Sequence, residues 1–142
     1  HARNGTARMD VATWGYAGGS SLAGLLSPAH IRQQIDVRTV RLDHYLAAHN
    51  LRPRVIKIDV EGSEPQVFSG FDNYKPPIIF FEFTFKQLKA LNNIPLEFLN
   101  RLVSKGYQLF MIEDDKLIQT KPKTMAKLAA QTNHDYNLLA KL

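Results

Sequence analysis

From Val55 onward the sequence alternates between two hydrophobic periodicities, and that alternation restricts the chain to one class of fold. "VIKID" (55–59) is an apolar run of strand length. "SEPQVFSG" after it carries helix-start signals: Ser63 and Gln66 stand at capping-box spacing, and Pro65 fits a first turn. Gly70 is the expected end of that helix. "PPIIFFEF" returns to a buried strand, opened by Pro76 and Pro77. Thr84 is the expected cap of "FKQLKAL". Pro95 opens "LEFLNRLVSK", where Leu96, Leu99 and Val103 form a stripe at helical spacing before Gly106. "YQLFMIE" is a third strand. Strand, helix, strand, helix, strand specifies an α/β fold with a mostly parallel sheet, because parallel neighbours need a crossover between them. "KLIQT", a helix-like "MAKLAAQ" and a strand-like "YNLLAKL" close the chain and are expected to add an antiparallel C-terminal edge.

The first 38 residues are less regular. "ARMDVATW" reads as an edge strand or hairpin, "GYAGGSS" as a loop, and "LAGLLSPAHIRQQI" as including a short helix. "VRTVRL" reads as a strand, and Asp43 as the cap of "HYLAAH", which Asn50 ends. No internal repeat, low-complexity tract or long linker interrupts the chain. Its 142 residues suit a single α/β domain, residues 1–142, that buries roughly two-thirds of its unfolded surface.

Composition narrows the function classes. Nothing reaches the ~18 consecutive apolar residues of a membrane span. "HARNGTARMD" lacks the apolar segment of a signal peptide. The absence of cysteine rules out disulfides and thiolate metal sites and fits a reducing, cytoplasmic setting. The chain is basic, with 18 Lys+Arg against 13 Asp+Glu. These cations are scattered, apart from a loose set at Lys116, Lys121, Lys123 and Lys127, and no aromatics interleave with them. The pattern reads as a solvated surface and not as a nucleic-acid interface.

The charges in "VIKIDVEG" need a different account. Lys57, Asp59 and Glu61 recur at a spacing of two, which puts all three on one face of an extended strand. Ligands of open α/β sheets bind outside the carboxyl ends of the strands. Asp59 and Glu61 lie at one such end, Glu82 near the next, and Glu113, Asp114 and Asp115 after the third. A rim of carboxylates is therefore expected. Asp59 and Glu82 interrupt apolar runs, where an unpaired charge is costly. Each needs a partner: Lys57, a metal ion or a ligand. The purely structural account pairs Asp59 with Lys57 or Arg54 and lets Glu61 and Glu64 complement the following helix dipole. His134 reads as a surface histidine, Phe80, Phe81 and Phe83 as core, and Trp14 as a half-buried strand residue.

Five segments, "VRTVRLDHYL", "VIKIDVEGSEPQVFSGF", "PPIIFFEF", "KGYQLF" and "NLLA", together resemble the C-terminal half of an FkbM-family methyltransferase. The likeness runs from about Val37 to Ala140, and "GGSSL" resembles the loop that precedes it. The resemblance implies a Rossmann-like class I methyltransferase sheet of which the chain holds the C-terminal part, with "VIKID" as its fourth strand. It implies S-adenosylmethionine as cofactor and O-methylation of a sugar, polyketide or other small-molecule hydroxyl, so that a small molecule or glycan is the expected acceptor. Asp59, Glu61, Lys57 and Glu82 become the expected catalytic rim, with Asp59 or Glu61 as general base, and Asp59 and Gly62 the expected cofactor contacts. No resident metal is assigned, although Asp59 and Glu82 are of the ligand type that suits Mg²⁺.

Two alternatives stay open. "VATWGYAGGSSL" can be read as the cofactor's glycine loop, with Gly15, Gly18 and Gly19, and with Asp36 as the ribose-binding acid. Trp14, however, stands where an acid should precede that loop. Without the glycine motif, the other reading is a non-catalytic Rossmann-like binding or interaction module.

Overall fold

The computed structural model describes residues 4–15, 20, 22, 24, 26–70, 73–132 and 134–142. The chain divides into two compact units, His1–Leu51 with Val60–Tyr74, and Arg52–Asp59 with Lys75–Leu142.

In the first unit, β1 (Gly5–Ala12) and β2 (Ile31–Thr39) form an antiparallel pair. Among the described residues of "LAGLLSPAHIRQQI", where a short helix was expected, the helical part is a 3₁₀ turn at Pro28–His30. Ile31 to Ile35 are extended instead, because they complete the ladder with β1. Two short helices follow, α1 (Leu42–Ala48) and α2 (Glu64–Phe68). Asp43 does not cap α1. Arg41 holds the cap position, and Asp43 sits in the first turn. The Asp43 carboxylate accepts from Arg41 Nε at 3.0 Å and Nη2 at 2.8 Å, and from Asn73 Nδ2 at 3.3 Å. Its backbone N–H donates to the Gly70 carbonyl at 2.8 Å. One buried carboxylate thus ties the start of α1 to the chain after α2. The expected capping box at α2 is also absent, since Ser63 makes no side-chain cap bond.

The second unit is a five-stranded sheet in the order β3-β4-β7-β5-β6. Its strands are β3 (Val55–Ile58), β4 (Ile78–Phe83), β5 (Gln108–Glu113), β6 (Lys116–Thr120) and β7 (Tyr136–Lys141). Here the sequence expectation is corrected. Only β3 and β4 pair in parallel, and the closing strand β7 is not an edge but lies antiparallel between β4 and β5. The reason is burial. Leu138, Leu139 and Ala140 are all buried, and a continuous apolar run needs a neighbour on each side. β6, "KLIQT", exposes its first four residues and takes the edge. It is joined to β5 by Asp114 and Asp115, both left-handed at φ 46° and 60°, as a tight two-residue hairpin requires.

Helices α3 (Phe85–Ala90), α4 (Pro95–Ser104) and α5 (Pro122–Thr132) complete this unit. Ile79, Phe81 and Phe83 alternate along β4 and are fully buried. Phe81 meets Phe98 of α4 edge-to-face at 5.7 Å between ring centres. The buried side of α4 is Pro95, Phe98, Leu99 and Leu102, not the stripe through Leu96 and Val103, which are exposed. The helix is rotated by the demand of Phe98 for the aromatic row on β4. Its end is as expected, with Gly106 left-handed at φ 99°. Tyr107 then buries its ring and donates to the Pro76 carbonyl at 2.8 Å. The opposite face of β4, through Ile78, Phe80 and Glu82, is only half-buried. Among the described residues no helix is long and apolar enough to cross a membrane.

Replacing Asp43 by Ala is expected to lower the unfolding free energy by about 2 kcal/mol, since it strands a partly covered Arg41. Hydrogen bonding from Arg41 holds the Asp43 carboxyl below its ordinary value of 3.8. Its contribution is therefore present above pH 3.8 and is lost as pH falls through the lower folded-state value. Urea titrations from neutral to acid pH check both points. A variant as stable as the parent at neutral pH would contradict the first.

Candidate active site

Strand β3 is short and lies at the sheet's other edge, and its two faces differ. Ile58 is buried, whereas Val55 is 51% exposed and shares the open face with Lys57. Val55 thus stands outside the core although it belongs to the apolar run. Lys57 and Asp59 do emerge on one side, and Lys57 Nζ donates to Asp59 Oδ2 at 2.9 Å. Both side chains are largely in solvent, so the pair adds little to stability. Its effect is local: hydrogen bonding to Asp59 raises the Lys57 pKa above its ordinary value, and Glu82 adds to the rise.

The parallel register places Ile58 beside Phe81, so that Asp59 comes next to Glu82 one residue on. Carboxylate oxygens of Asp59 and Glu82 lie within 4.8 Å of each other. Glu82 in turn stands opposite Asn137 of β7. These residues line a cleft of about 290 Å³, with Phe80 and Ile112 among its apolar walls. Lys57, Asp59 and Glu82 are therefore brought together as expected. The third part of the expected rim is not. Ile112, and not Glu113, reaches the cleft from β5, and Asp114 and Asp115 are used in the hairpin turn. Asn137 and Ile112 were missed by sequence reasoning. The one available signal for Asn137 was a polar residue at the head of an apolar strand, the mirror of Glu82 at the tail of another.

The chain leaves Asp59 through a turn that belongs to the first unit. Glu61 and Gly62 are both left-handed, at φ 52° and 91°, and Ser63 N–H donates to the Val60 carbonyl at 3.2 Å. Gly62 is glycine because a φ of 91° strains any side chain. Glu64 is the acidic residue in the first turn of α2, as expected. It turns back, and Oε1 accepts the N–H of Val60 at 3.2 Å and of Gly62 at 3.3 Å. The Gly62 N–H, an expected cofactor donor, is thus engaged within the turn. Glu64 is 1% exposed and its Oε2 has no hydrogen-bond partner among the described residues. Burial pushes its carboxyl pKa above the ordinary 4.5, against the hydrogen bonds from Glu64 itself, Val60 and Gly62.

The remaining candidates lie elsewhere. Asp36 is in mid-strand on β2 and pairs with Arg8 at 3.3 Å, on a hairpin and not at the exit of a parallel strand. Gly18 and Gly19 fall outside the described residues. Trp14 is not half-buried: it is 86% exposed, with the Arg32 guanidinium 5.7 Å above its ring. His134 is exposed, as expected.

The family model of the methyltransferase FkbM domain matches residues 3–109, which is 107 of the 142 residues. The chain belongs to the FkbM methyltransferase family. No curated protein and no solved structure matches it. The FkbM match begins earlier than the resemblance read from the sequence and takes in the β1–β2 pair. It contains Lys57, Asp59, Glu61, Gly62 and Glu82, and it stops before β6, α5 and β7, leaving Asn137 outside. Methyl transfer is therefore the chemistry against which the cleft is read.

Two stability measurements check this electrostatic picture. Lys57→Met is expected to leave the unfolding midpoint unmoved, because its ion pair is solvent-exposed. Glu64 behaves differently. With its folded-state pKa raised, its contribution is full below pH 4.5 and is lost as pH rises through the folded value. The stability of Glu64→Gln relative to the parent should therefore rise as pH is raised from 4.5 through the folded-state value. A difference that stays constant over that range would show that the carboxyl is not perturbed.

Proposed function

We propose that this chain carries the acceptor side of an S-adenosylmethionine-dependent O-methyltransferase, built on a Rossmann-like class I sheet and acting on a hydroxyl of a small-molecule or glycan acceptor. The observation that supports this most is the coincidence of the FkbM match with a cleft at the carboxyl ends of a parallel strand pair, β3 and β4. The residues fit the reacting end of the cofactor. Two carboxylates against one ammonium leave the cleft with a net negative charge, which suits a sulfonium cation. At about 290 Å³ it is at the lower end of ligand-pocket size, enough for reacting groups but not for a whole dinucleotide-sized ligand. When bound, S-adenosylmethionine supplies an electrophilic methyl group on sulfur, and the electron pair of the broken S–C bond stays with that sulfur.

The chain's own residues supply the rest. Asp59 accepts a hydrogen bond from the acceptor hydroxyl and takes its proton as the new C–O bond forms. Lys57 donates to Asp59 at 2.9 Å and so fixes the orientation of that carboxylate toward the acceptor. Glu82 and Asn137 offer a second hydroxyl an acceptor and a donor. Phe80 and Ile112 exclude water from one side of the cleft and give the carbon skeleton of the acceptor an apolar seat.

Calorimetric titration of the full-length protein with S-adenosylmethionine tests the cofactor assignment, and absence of binding would remove it. Asp59→Asn should retain the fold and bind cofactor within a few-fold of the parent. Its turnover should drop by roughly 10²–10⁴, the range for loss of a general base. Turnover at the parent rate would sink the role of Asp59.

A further inference from the structure

The turn that follows Asp59 carries an unusual burden. Two successive residues are left-handed, and one of them, Glu61, has a side chain. Such backbone costs energy and persists only where its surroundings over-determine it. The turn's own hydrogen bond, Ser63 N–H to Val60 C=O, fixes its two ends. What fixes its middle is Glu64, whose Oε1 gathers the N–H groups of Val60 and Gly62 from either side of Glu61. The Glu64 side chain is enclosed, so this template stays in place without competition from water. Its length matters as well. Two methylenes bring Oε1 back across the turn, a reach that Asp lacks and Gln keeps.

We infer that Glu64 is a positioning residue: its buried side chain sets the backbone of Val60–Gly62 and, through it, the direction in which the Glu61 carboxylate leaves the chain. The inference rests on the methyltransferase reading proposed above, extended to Glu61, the rim acid that the family resemblance implies beside the base Asp59. Removing the Glu64 acceptor frees two backbone N–H groups to seek other partners, and Glu61 then relaxes toward ordinary φ values.

The test combines amide hydrogen exchange with a double-mutant cycle in the full-length protein. Glu64→Gln should keep the Val60 and Gly62 amides protected and hold kcat within about threefold of the parent. Glu64→Ala should speed exchange of both amides at least about a hundredfold and lower kcat by about tenfold or more. In a Glu61→Gln background the same Ala change should cost less than about twofold in kcat, because the residue it acts through is already disabled. An equal loss in both backgrounds would make Glu64 a general structural residue and overturn the inference. So would Val60 and Gly62 amides that exchange at open-chain rates in the parent. If the parent shows no turnover at all, the methyl-transfer reading fails. Protected amides that Glu64→Ala releases would then still establish Glu64 as the residue that sets the turn.

Discussion

Three consecutive buried residues, Leu138, Leu139 and Ala140, oblige β7 to have a strand on each side, and most of the second unit follows from that. β7 runs antiparallel to both β4 and β5, so those two strands share one direction. Their carboxyl ends therefore lie toward the same end of the sheet, and β3, parallel to β4, adds a third. The cleft forms where these ends meet the head of β7. Glu82 from β4, Ile112 from β5 and Asn137 from β7 line it because the register fixed by the apolar run brings them there. Had the closing strand docked at an edge, Asn137 would lie away from Glu82 and the cleft would lose a wall.

The two faces of this sheet have separate tasks. Ile79, Phe81 and Phe83 pack inward and define the core that α4 joins through Phe98. Ile78, Phe80 and Glu82 alternate with them and stay half-buried. Strand periodicity makes this economical: one strand anchors the core with every second residue and presents chemistry with the others. The carboxylate at the end of β4 is held at the mouth of an apolar surface.

The exit of β3 is built with equal care but by different means. Asp59 stays in solvent beside Lys57, while two residues later the chain reverses through a left-handed turn held by an enclosed carboxyl group. Three acids within six residues thus have different surroundings: Asp59 largely exposed, Glu61 half-buried on a strained backbone, Glu64 sealed. The sealed one carries the raised pKa, so burial alone does not mark the reacting group.

Local pattern by itself determined much of this protein. Strand and helix stretches from Val55 onward, the reversal at Gly106, and the grouping of Lys57, Asp59 and Glu82 were legible because each depends on near-neighbour spacing and on the cost of burying a charge. The residues of "KIDVEG" also carried the family. Several assignments failed for one common reason. The cap at Asp43, the stripe on α4 and a half-buried Trp14 looked satisfied locally, but contacts beyond the local pattern decided them. Asp43 binds its neighbour Arg41 and the distant Asn73, α4 turned to seat Phe98 against β4, and Trp14 stands exposed beside Arg32. The place of β7, the pairing of Glu82 with Asn137 and the reversal of Glu64 onto its own turn belong to tertiary structure alone. Strand order is set by which surfaces must be covered, and no periodicity within a strand records the identity of its neighbours.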